Sequence, residues 1–366
     1  MLNGLDQVDW AELDHAFGPA AGLPDQLRGL VSRDEEHRRR SLRALSEHIY
    51  HQNTIYEATP GAIPFVLEVL TAPECHEQPQ VLSLLTSIAT EFDGKWWLPE
   101  GLPIARYRAQ AASGDDLDEH GHESYARTCL RAYDAVRAGV PVFRELLTRE
   151  PPVARMAAYA LAWFPEDAPE SLKALANITG GDDEGVVAAT ASVAMGLLRG
   201  RPTITLDDPR PIARWGAAVA LATVDGEEAT QDVVDELITT VRALPDNDEV
   251  PFLRGNLAGY AGGALRLTGR RHADRTFDAL LRRILDVPGG STFYAVKEAL
   301  RLAFPAGALP RGTAYPALDD RQRRLVDALA CSPGAWLTYS VSFGRLVAEY
   351  GLPAGNAAMR DYTSTR

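Results

Sequence analysis

The chain has 366 residues, of which 46% are hydrophobic, and it carries a formal net charge of −13 at pH 7. This hydrophobic content supports a folded protein, and the length exceeds what one globular core ordinarily fills. The three cysteines are far apart and include no CxxC pair, which argues against a disulfide framework and a structural zinc site.

Targeting and membrane-spanning segments are not expected from the sequence. The first residues lack the basic and apolar regions of a signal peptide, and no apolar run is long enough to cross a bilayer. The longest candidate, residues 186–198, is interrupted by Thr190 and Ser192 and is predicted to be a buried helix. Together with the scattered cysteines, these features predict a cytoplasmic protein with no bound metal and no cofactor.

Three short stretches nearly repeat one another, each pairing small residues with a branched aliphatic residue and then proline: residues 21–24, 61–64 and 138–141. Proline is tolerated at the first helical position, because its missing N–H would have no intrahelical partner there. The repeats therefore predict three short helices, each followed by a turn and a longer helix: Pro24–Val31, Pro64–Leu70 and Pro141–Thr148.

The segment from Asp93 to Glu123 interrupts this pattern. It begins with aromatic residues that include Trp96 and Trp97, and it ends in an acidic run. We predict an irregular loop inserted over 93–123, because long segments without a repeat are usually functional or disordered. Adjacent tryptophans cannot share one face of a regular element, so one ring is a candidate partner-binding anchor. The alternative is that both rings cover the ends of neighbouring repeats.

In the downstream part of the chain, the second helices of the predicted pairs resemble one another most clearly. Residues 153–158 align without a gap to residues 212–217, in a shared pattern of branched aliphatic residue, Ala, Arg, x, small residue, Ala. This pattern resembles the second helix of HEAT repeats in bacterial HEAT-like proteins, and the resemblance covers roughly residues 20–225. It implies an all-α, right-handed α-solenoid of about seven or eight helix pairs over 1–366. Three looser pairs follow, and residues 335–366 are predicted to cap the array: 228–243 with 251–267, 273–285 with 292–304, and 320–331 with 335–350.

Charge is distributed unevenly along the chain. Residues 254–324 contain 13 Lys and Arg against six Asp and Glu, so this segment is basic and residues 1–253 are strongly acidic. Four arginines near Gly269 are candidate partner-binding residues at a predicted helix end: Arg266, Arg270, Arg271 and Arg275. The alternative for these side chains is an ordinary solvated surface.

The HEAT resemblance predicts architecture and leaves several functions open. A non-enzymatic protein-binding scaffold or adaptor, with toxin immunity as one role, agrees best with the acidic first two-thirds, which favour a basic protein partner. The alternative is a nucleic-acid-binding HEAT-like protein that uses the basic segment 254–324. A second alternative is a HEAT-like lyase or hydroxylase, but the sequence offers only two His-Glu pairs, at 76–77 and 122–123, and no nucleophile motif.

Overall fold

The computed structural model describes residues 1–91, 100–112, 125–178, 184–287, 289–337 and 340–364. Within these ranges the chain forms 18 α-helices and two hairpins of two-residue strands, so the prediction of an all-α protein is confirmed for the described residues. The chain divides into two compact units, Met1–Asp182 and Asp183–Arg366. The single array predicted over 1–366 stays a prediction.

The first unit contains nine of the helices, several of them joined by turns of a few residues. They are α1 (Leu23–Gly29), α2 (Glu35–Ile49), α3 (Ala58–Leu70), α4 (Gln78–Ala89), α5 (Ile104–Ala112), α6 (Tyr125–Arg137), α7 (Val140–Leu146), α8 (Pro151–Leu161) and α9 (Ala168–Ala176). Two antiparallel hairpins flank α1 and α2: β1 (Asp14–His15) with β2 (Gly18–Pro19), and β3 (Tyr50–His51) with β4 (Thr54–Ile55). Helix α4 packs against both α6 and α8, and α3 packs against α6.

One of the three proline-initiated helices was predicted wrongly. Helices α1 and α7 begin one residue before Pro24 and Pro141, but α3 begins at Ala58 and contains Pro64 in its interior. The start of α3 is fixed by tertiary contacts, because the Thr59 hydroxyl donates a hydrogen bond of 2.7 Å to the Ile49 carbonyl at the end of α2. The interior proline leaves α3 without one backbone hydrogen bond.

The irregular loop predicted over 93–123 is wrong for residues 104–112, which form α5. Ile104 and Tyr107, three residues apart, are buried and pack α5 against α6. Arg108 joins the two helices through an ion pair of 2.5 Å with Asp134. The tryptophans of this segment, Trp96 and Trp97, lie outside the described residues, as do 113–123.

The second unit contains the other nine helices. They are α10 (Val186–Leu197), α11 (Pro211–Asp225), α12 (Gln231–Ala243), α13 (Leu257–Leu267), α14 (Ala273–Asp286), α15 (Phe293–Ala303), α16 (Asp320–Cys331), α17 (Ser340–Ala348) and α18 (Asn356–Ser364). Helices therefore lie in all the segments predicted downstream of residue 228. Helix α12 packs against α13 and α14 against α15, whereas α16 packs mainly against α18 and not against its predicted partner α17. Helices α12, α14 and α16 contact one another in sequence, and α11, α13, α15 and α17 do the same, so the unit has two rows of helices.

The C-terminal segment contains a helix that the sequence did not predict. Gly351, at φ 78°, follows α17 as expected, but α18 then packs against α16. Met359 is fully buried, and the Asn356 side-chain amide donates hydrogen bonds to the carbonyls of Leu329 and Ala330. The capping role of 335–366 stays a prediction.

Helix α10 is buried on every side, as the sequence predicted for 186–198. All 12 of its residues are buried, and its main contact within the second unit is α11. The two helices approach so closely that a Cβ atom on Gly216 would lie 2.5 Å from the Ala189 Cα. Among the described residues, every helix falls short of the length and hydrophobicity that a bilayer crossing requires.

We predict that Gly216→Ala lowers the free energy of unfolding by about 1–3 kcal/mol, because the added methyl group meets the α10 backbone. Helix propensity alone predicts that the substitution raises the free energy of unfolding, since alanine stabilises a helix interior by about 1 kcal/mol relative to glycine. Urea unfolding followed by circular dichroism measures the difference. Gly355→Ala is the matched control in the same unit, because a Cβ atom there meets nothing within 4 Å. A Gly216→Ala protein as stable as the wild type would contradict the close contact.

Candidate functional site

The four arginines near Gly269 do not form one open cationic cluster. Gly269, at φ 85°, lies between α13 and α14, as predicted. Arg266 lies at the end of α13, with its Nε 3.4 Å from an Oε atom of Glu298 on α15. Arg275, on the first turn of α14, donates a hydrogen bond of 2.5 Å to Asp235 on α12. Two of the four positive charges are therefore balanced by carboxylates of neighbouring helices.

The other two arginines lie in the turn that joins α13 to α14. Arg271 donates to the Ala229 carbonyl and to Nε2 of His272, both at 2.8 Å. Burial, and then the positive charges of Arg271 and Arg275, lower the pKa of His272, so this imidazole is held neutral as an acceptor. Arg270 is exposed in the same turn. Arg270 is thus the member of the predicted set whose guanidinium has no contact with a described residue.

Other arginines of the basic segment are paired in the same way. The pairs that reach between helices or loops are Arg283 with Asp246 at 3.1 Å, Arg324 with Asp278 at 2.6 Å, and Arg321 with Asp274. Several of these carboxylates lie far from the arginine in sequence, and Asp235 and Asp246 lie outside 254–324. Asp235 and Asp246 therefore offset two of the seven excess positive charges of the segment, because the other paired carboxylates belong to the segment itself.

A groove crosses one face of the second unit and is lined by α12, α14 and α16. It has a volume of about 960 Å³. Helix α14 forms its centre with side chains at steps of three and four residues, which share one helix face: Arg275, Asp278, Ala279, Arg282, Leu285 and Asp286. We call this feature the α14 groove. Of the four predicted arginines, Arg275 lines it.

The floor of the α14 groove is apolar and its walls are charged. Ile238 from α12, Ala279 from α14 and Ala328 from α16 are buried beneath it. Leu285 differs from them, because 56% of its surface is exposed to solvent at the groove. Few large apolar side chains among the described residues are as exposed, and an exposed leucine beside an apolar floor is a feature of interaction sites.

Some charges in the groove are already paired. The Arg324 guanidinium pairs with Asp278 and lies 5.4 Å from the centre of the Phe277 ring, a cation–π contact. Asp327 accepts hydrogen bonds of 2.8 and 2.9 Å from the Tyr315 hydroxyl. These contacts fix the positions of the side chains along α16.

Three charged side chains of the groove stay unpaired. Arg242 on α12 and Arg282 and Asp286 on α14 are exposed, and none makes a hydrogen bond or an ion pair with any residue that the structure describes. The charges of the groove that have no ionic partner among the described residues therefore balance, with Arg242 and Arg282 against Asp286 and Asp327, because Asp327 is bonded to the neutral Tyr315 hydroxyl. The guanidinium of each of these two arginines can donate two parallel hydrogen bonds to a carboxylate.

Sequence reasoning missed most of this site, including Arg242, Arg282 and Leu285. One local signal was available, because Leu285 falls on the charged face of α14 together with Arg275, Asp278 and Arg282. An apolar residue at that spacing is unusual on a solvated face. The contribution of α12 and α16 could not be found in the same way, since it depends on which helices become neighbours.

In the first unit, His48 and Glu77 of the first His-Glu pair both have structural contacts. His48 stacks on His15 with ring centres 4.2 Å apart, and burial followed by the His15 charge lowers its pKa. Glu77 of the first His-Glu pair forms an ion pair of 3.0 Å with the buried Arg38 on α2. The second pair, at 122–123, lies outside the described residues. The described residues contain no group of three or more His, Cys, Asp or Glu that could hold a metal ion.

Comparison with known proteins adds no assignment. No family model matches the chain, and no curated protein matches its sequence. The HEAT resemblance therefore depends on the repeat pattern of the sequence.

We predict that a thiol reagent modifies Cys331 in the native protein while Cys75 and Cys129 stay unreacted. Cys331 is exposed at the end of the α14 groove, whereas the other two cysteines are buried. Burial also raises the pKa of the Cys75 thiol to about 11, which removes its reactive thiolate at neutral pH. Iodoacetamide labelling at pH 8 followed by peptide mass spectrometry measures the three rates, and urea-unfolded protein is the control. Equal labelling of Cys129 in the native state would contradict the packing of α6.

Proposed function

We propose that the protein is a non-enzymatic protein-binding scaffold or adaptor built from HEAT-like helix pairs, and that the α14 groove is a binding surface. The observation that carries the proposal is the groove itself, an open surface across three neighbouring helices with an apolar floor, an exposed leucine and unpaired charges. Repeat arrays of this kind bind partners on extended surfaces rather than in closed pockets. A cytoplasmic location is part of the same proposal.

The two rows of helices in the second unit support a HEAT-like array. Each helix of a row contacts the next helix of that row, and α12 with α13 and α14 with α15 pack as pairs. This is the contact pattern expected when successive helix pairs stack and each pair buries its apolar face against the next. A right-handed solenoid over the whole chain, with toxin immunity as one role, extends the same interpretation.

Side-chain pairing favours a protein partner over a nucleic acid. A nucleic-acid-binding surface needs several lysines and arginines free to contact phosphates. Arg275, Arg283 and Arg324 are instead paired with aspartates. Asp278, Asp286 and Asp327 also line the groove and would repel a phosphate backbone. Mixed charges around an apolar centre are the usual composition of a protein–protein interface.

The test is affinity capture from the native cells with three forms of the full chain: wild type, Leu285→Asp and Leu337→Asp. Leu337 is 83% exposed and does not line the groove, so its variant is the matched control for an added surface carboxylate. We expect Leu285→Asp to lose bound proteins by at least about fivefold, because it places a charge at the centre of the interface. The Leu337→Asp variant should capture the same proteins as the wild type. Equal capture by all three forms would contradict a binding role for the groove.

The nucleic-acid alternative has its own measurement, anisotropy titration with labelled DNA and RNA. At about 0.15 M salt, where the Debye length is about 8 Å, only close contacts with phosphates contribute. We expect no binding tighter than micromolar. Tighter binding that is lost when Arg270, Arg271 and Arg275 are changed to Ala would favour the nucleic-acid function instead.

A further inference from the structure

We propose that the β1–β2 hairpin is a pH-sensitive latch on the C-terminal end of α2, closed while His15 and His48 are neutral and open when both carry an added proton. The inference concerns the first unit and does not rest on the α14 groove. Its basis is geometric. Two stacked imidazole rings join the hairpin to α2, and one of them makes a hydrogen bond that a charged ring cannot make.

The hairpin has little stability of its own. Its strands contain two residues each, and the turn between them consists of Ala16 and Phe17. An isolated two-stranded hairpin is at best marginally stable in water, so this one depends on its contacts with the rest of the unit. One of these contacts is a backbone hydrogen bond of 3.0 Å from the Ala16 N–H to the His48 carbonyl, in the last turn of α2.

The His15 ring responds directly to protonation. Its Nδ1 accepts a hydrogen bond of 3.0 Å from the Phe17 backbone N–H. A backbone N–H is only a donor, and both ring nitrogens of a charged histidine carry protons, so a charged His15 cannot accept this bond. Protonation of His15 therefore removes the hydrogen bond that stabilises the turn of the hairpin.

The His48 ring makes a second proton costly. The two rings are stacked with their centres 4.2 Å apart and their planes 18° apart, so protonation of both places two like charges at this distance. Burial and then the His15 charge lower the pKa of His48, and the Glu47 carboxylate raises it by less. The closed hairpin therefore favours the neutral form of His48.

Two other neighbours of the pair tolerate either charge state. The Gln26 side-chain amide on α1 lies 2.7 Å from the His48 Nδ1, and it can present its nitrogen or its oxygen to that atom. The Phe17 ring has edge contacts with His48 and His51, at 5.5 and 5.2 Å between ring centres. Attraction between a charged histidine and this ring would oppose opening, but Phe17 is 62% exposed, and such contacts are weak at exposed sites.

The remaining carboxylates of the surrounding elements do not act on the His48 pKa. Asp25 on α1 forms an ion pair with Arg28. Helix α3 contacts β1, and its one titratable side chain, Glu68, accepts a hydrogen bond from the Leu2 N–H. The carboxylates nearest the hairpin in sequence are exposed, and they are Glu12 and Asp14.

Opening the latch takes up protons. Because the pKa of His48 is lowered in the closed form, the open form binds more protons below the ordinary histidine pKa of about 6.5. The latch is therefore fully stable above that pH and weakens as the pH falls through it. Opening separates Phe17 from His48 and His51 and uncovers the end of α2.

The test is hydrogen–deuterium exchange of the full chain at about pH 7.5 and about pH 5, on either side of the ordinary histidine pKa. Peptides that span residues 13–20 contain the bonded amides of Ala16 and Phe17. After correction for the intrinsic exchange rate, we expect their protection to fall at least about fivefold at the lower pH, because the open form gains stability. Peptides from α3 should stay protected at both pH values.

The informative variant is His15→Asn, and its matched control is His76→Asn. An asparagine side-chain oxygen accepts a hydrogen bond from the backbone N–H two residues later, as His15 does, and it does not titrate in this range. We expect His15→Asn to keep its protection at about pH 5 within about twofold of its value at about pH 7.5. His76 is exposed outside the hairpin in the same unit, so its variant should respond like the wild type.

Three results would overturn the latch: equal protection of the wild-type hairpin at both pH values, an equal loss in His15→Asn, or a simultaneous loss in α3, which would mean that the whole unit unfolds. If His15→Asn is already unprotected at about pH 7.5, the pH profile of the wild type decides. A loss of protection centred between about pH 5 and 6.5 supports the histidine pair. A loss centred below about pH 5 belongs to carboxylates and contradicts the proposal.

Discussion

The close contact between α10 and α11 is the constraint on which the second unit depends. Glycine and alanine line both sides of it, and a Cβ atom on Gly196 or on Gly216 would lie within 2.6 Å of the facing backbone. Helix α10 is itself buried over its whole length. It also fixes α11, whose Trp215 is fully buried and donates a hydrogen bond of 3.1 Å to the Leu257 carbonyl at the start of α13. The position of α13 in turn determines the helices that pack beside it.

From α13 onward, charged side chains join successive helices within one row. Arg275 bonds Asp235, and Arg283 is only 4% exposed while it bonds Asp246 and the Leu244 carbonyl. Buried guanidinium groups are costly unless fully bonded, so these contacts fix how α14 lies against α12. The α14 groove is the surface left on the outside of this arrangement. Its arginines Arg275 and Arg324 are paired with Asp235 and Asp278, whereas Arg242 and Arg282 make no ion pair with a described residue.

The first unit reaches the same kind of packing through a different set of contacts. Arg108 on α5 bonds Asp134 at 2.5 Å and Glu166 at 3.0 Å, and the Tyr133 hydroxyl donates to Glu166 at 2.7 Å. Burial, followed by the Glu166 carboxylate, raises the pKa of Tyr133 far above its usual range. The network joins α5 and α6 to the turn before α9. It accounts for an ordered helix within a segment whose sequence does not resemble the flanking repeats.

The sequence by itself determined the helical class, the helical segments from residue 228 onward and the burial of α10, because apolar periodicity and small residues are local signals. It also pointed to Arg275, through the arginine-rich turn after Gly269. Only the tertiary structure decided that α3 starts at Ala58, that α5 and α18 exist, and that Arg275 and Arg283 pair with aspartates outside the basic segment. These outcomes depend on residues far apart in the chain, such as Asp235 and Arg275, which are 40 residues apart. The groove itself was beyond sequence reasoning, since its walls come from three helices whose adjacency is a property of the packing.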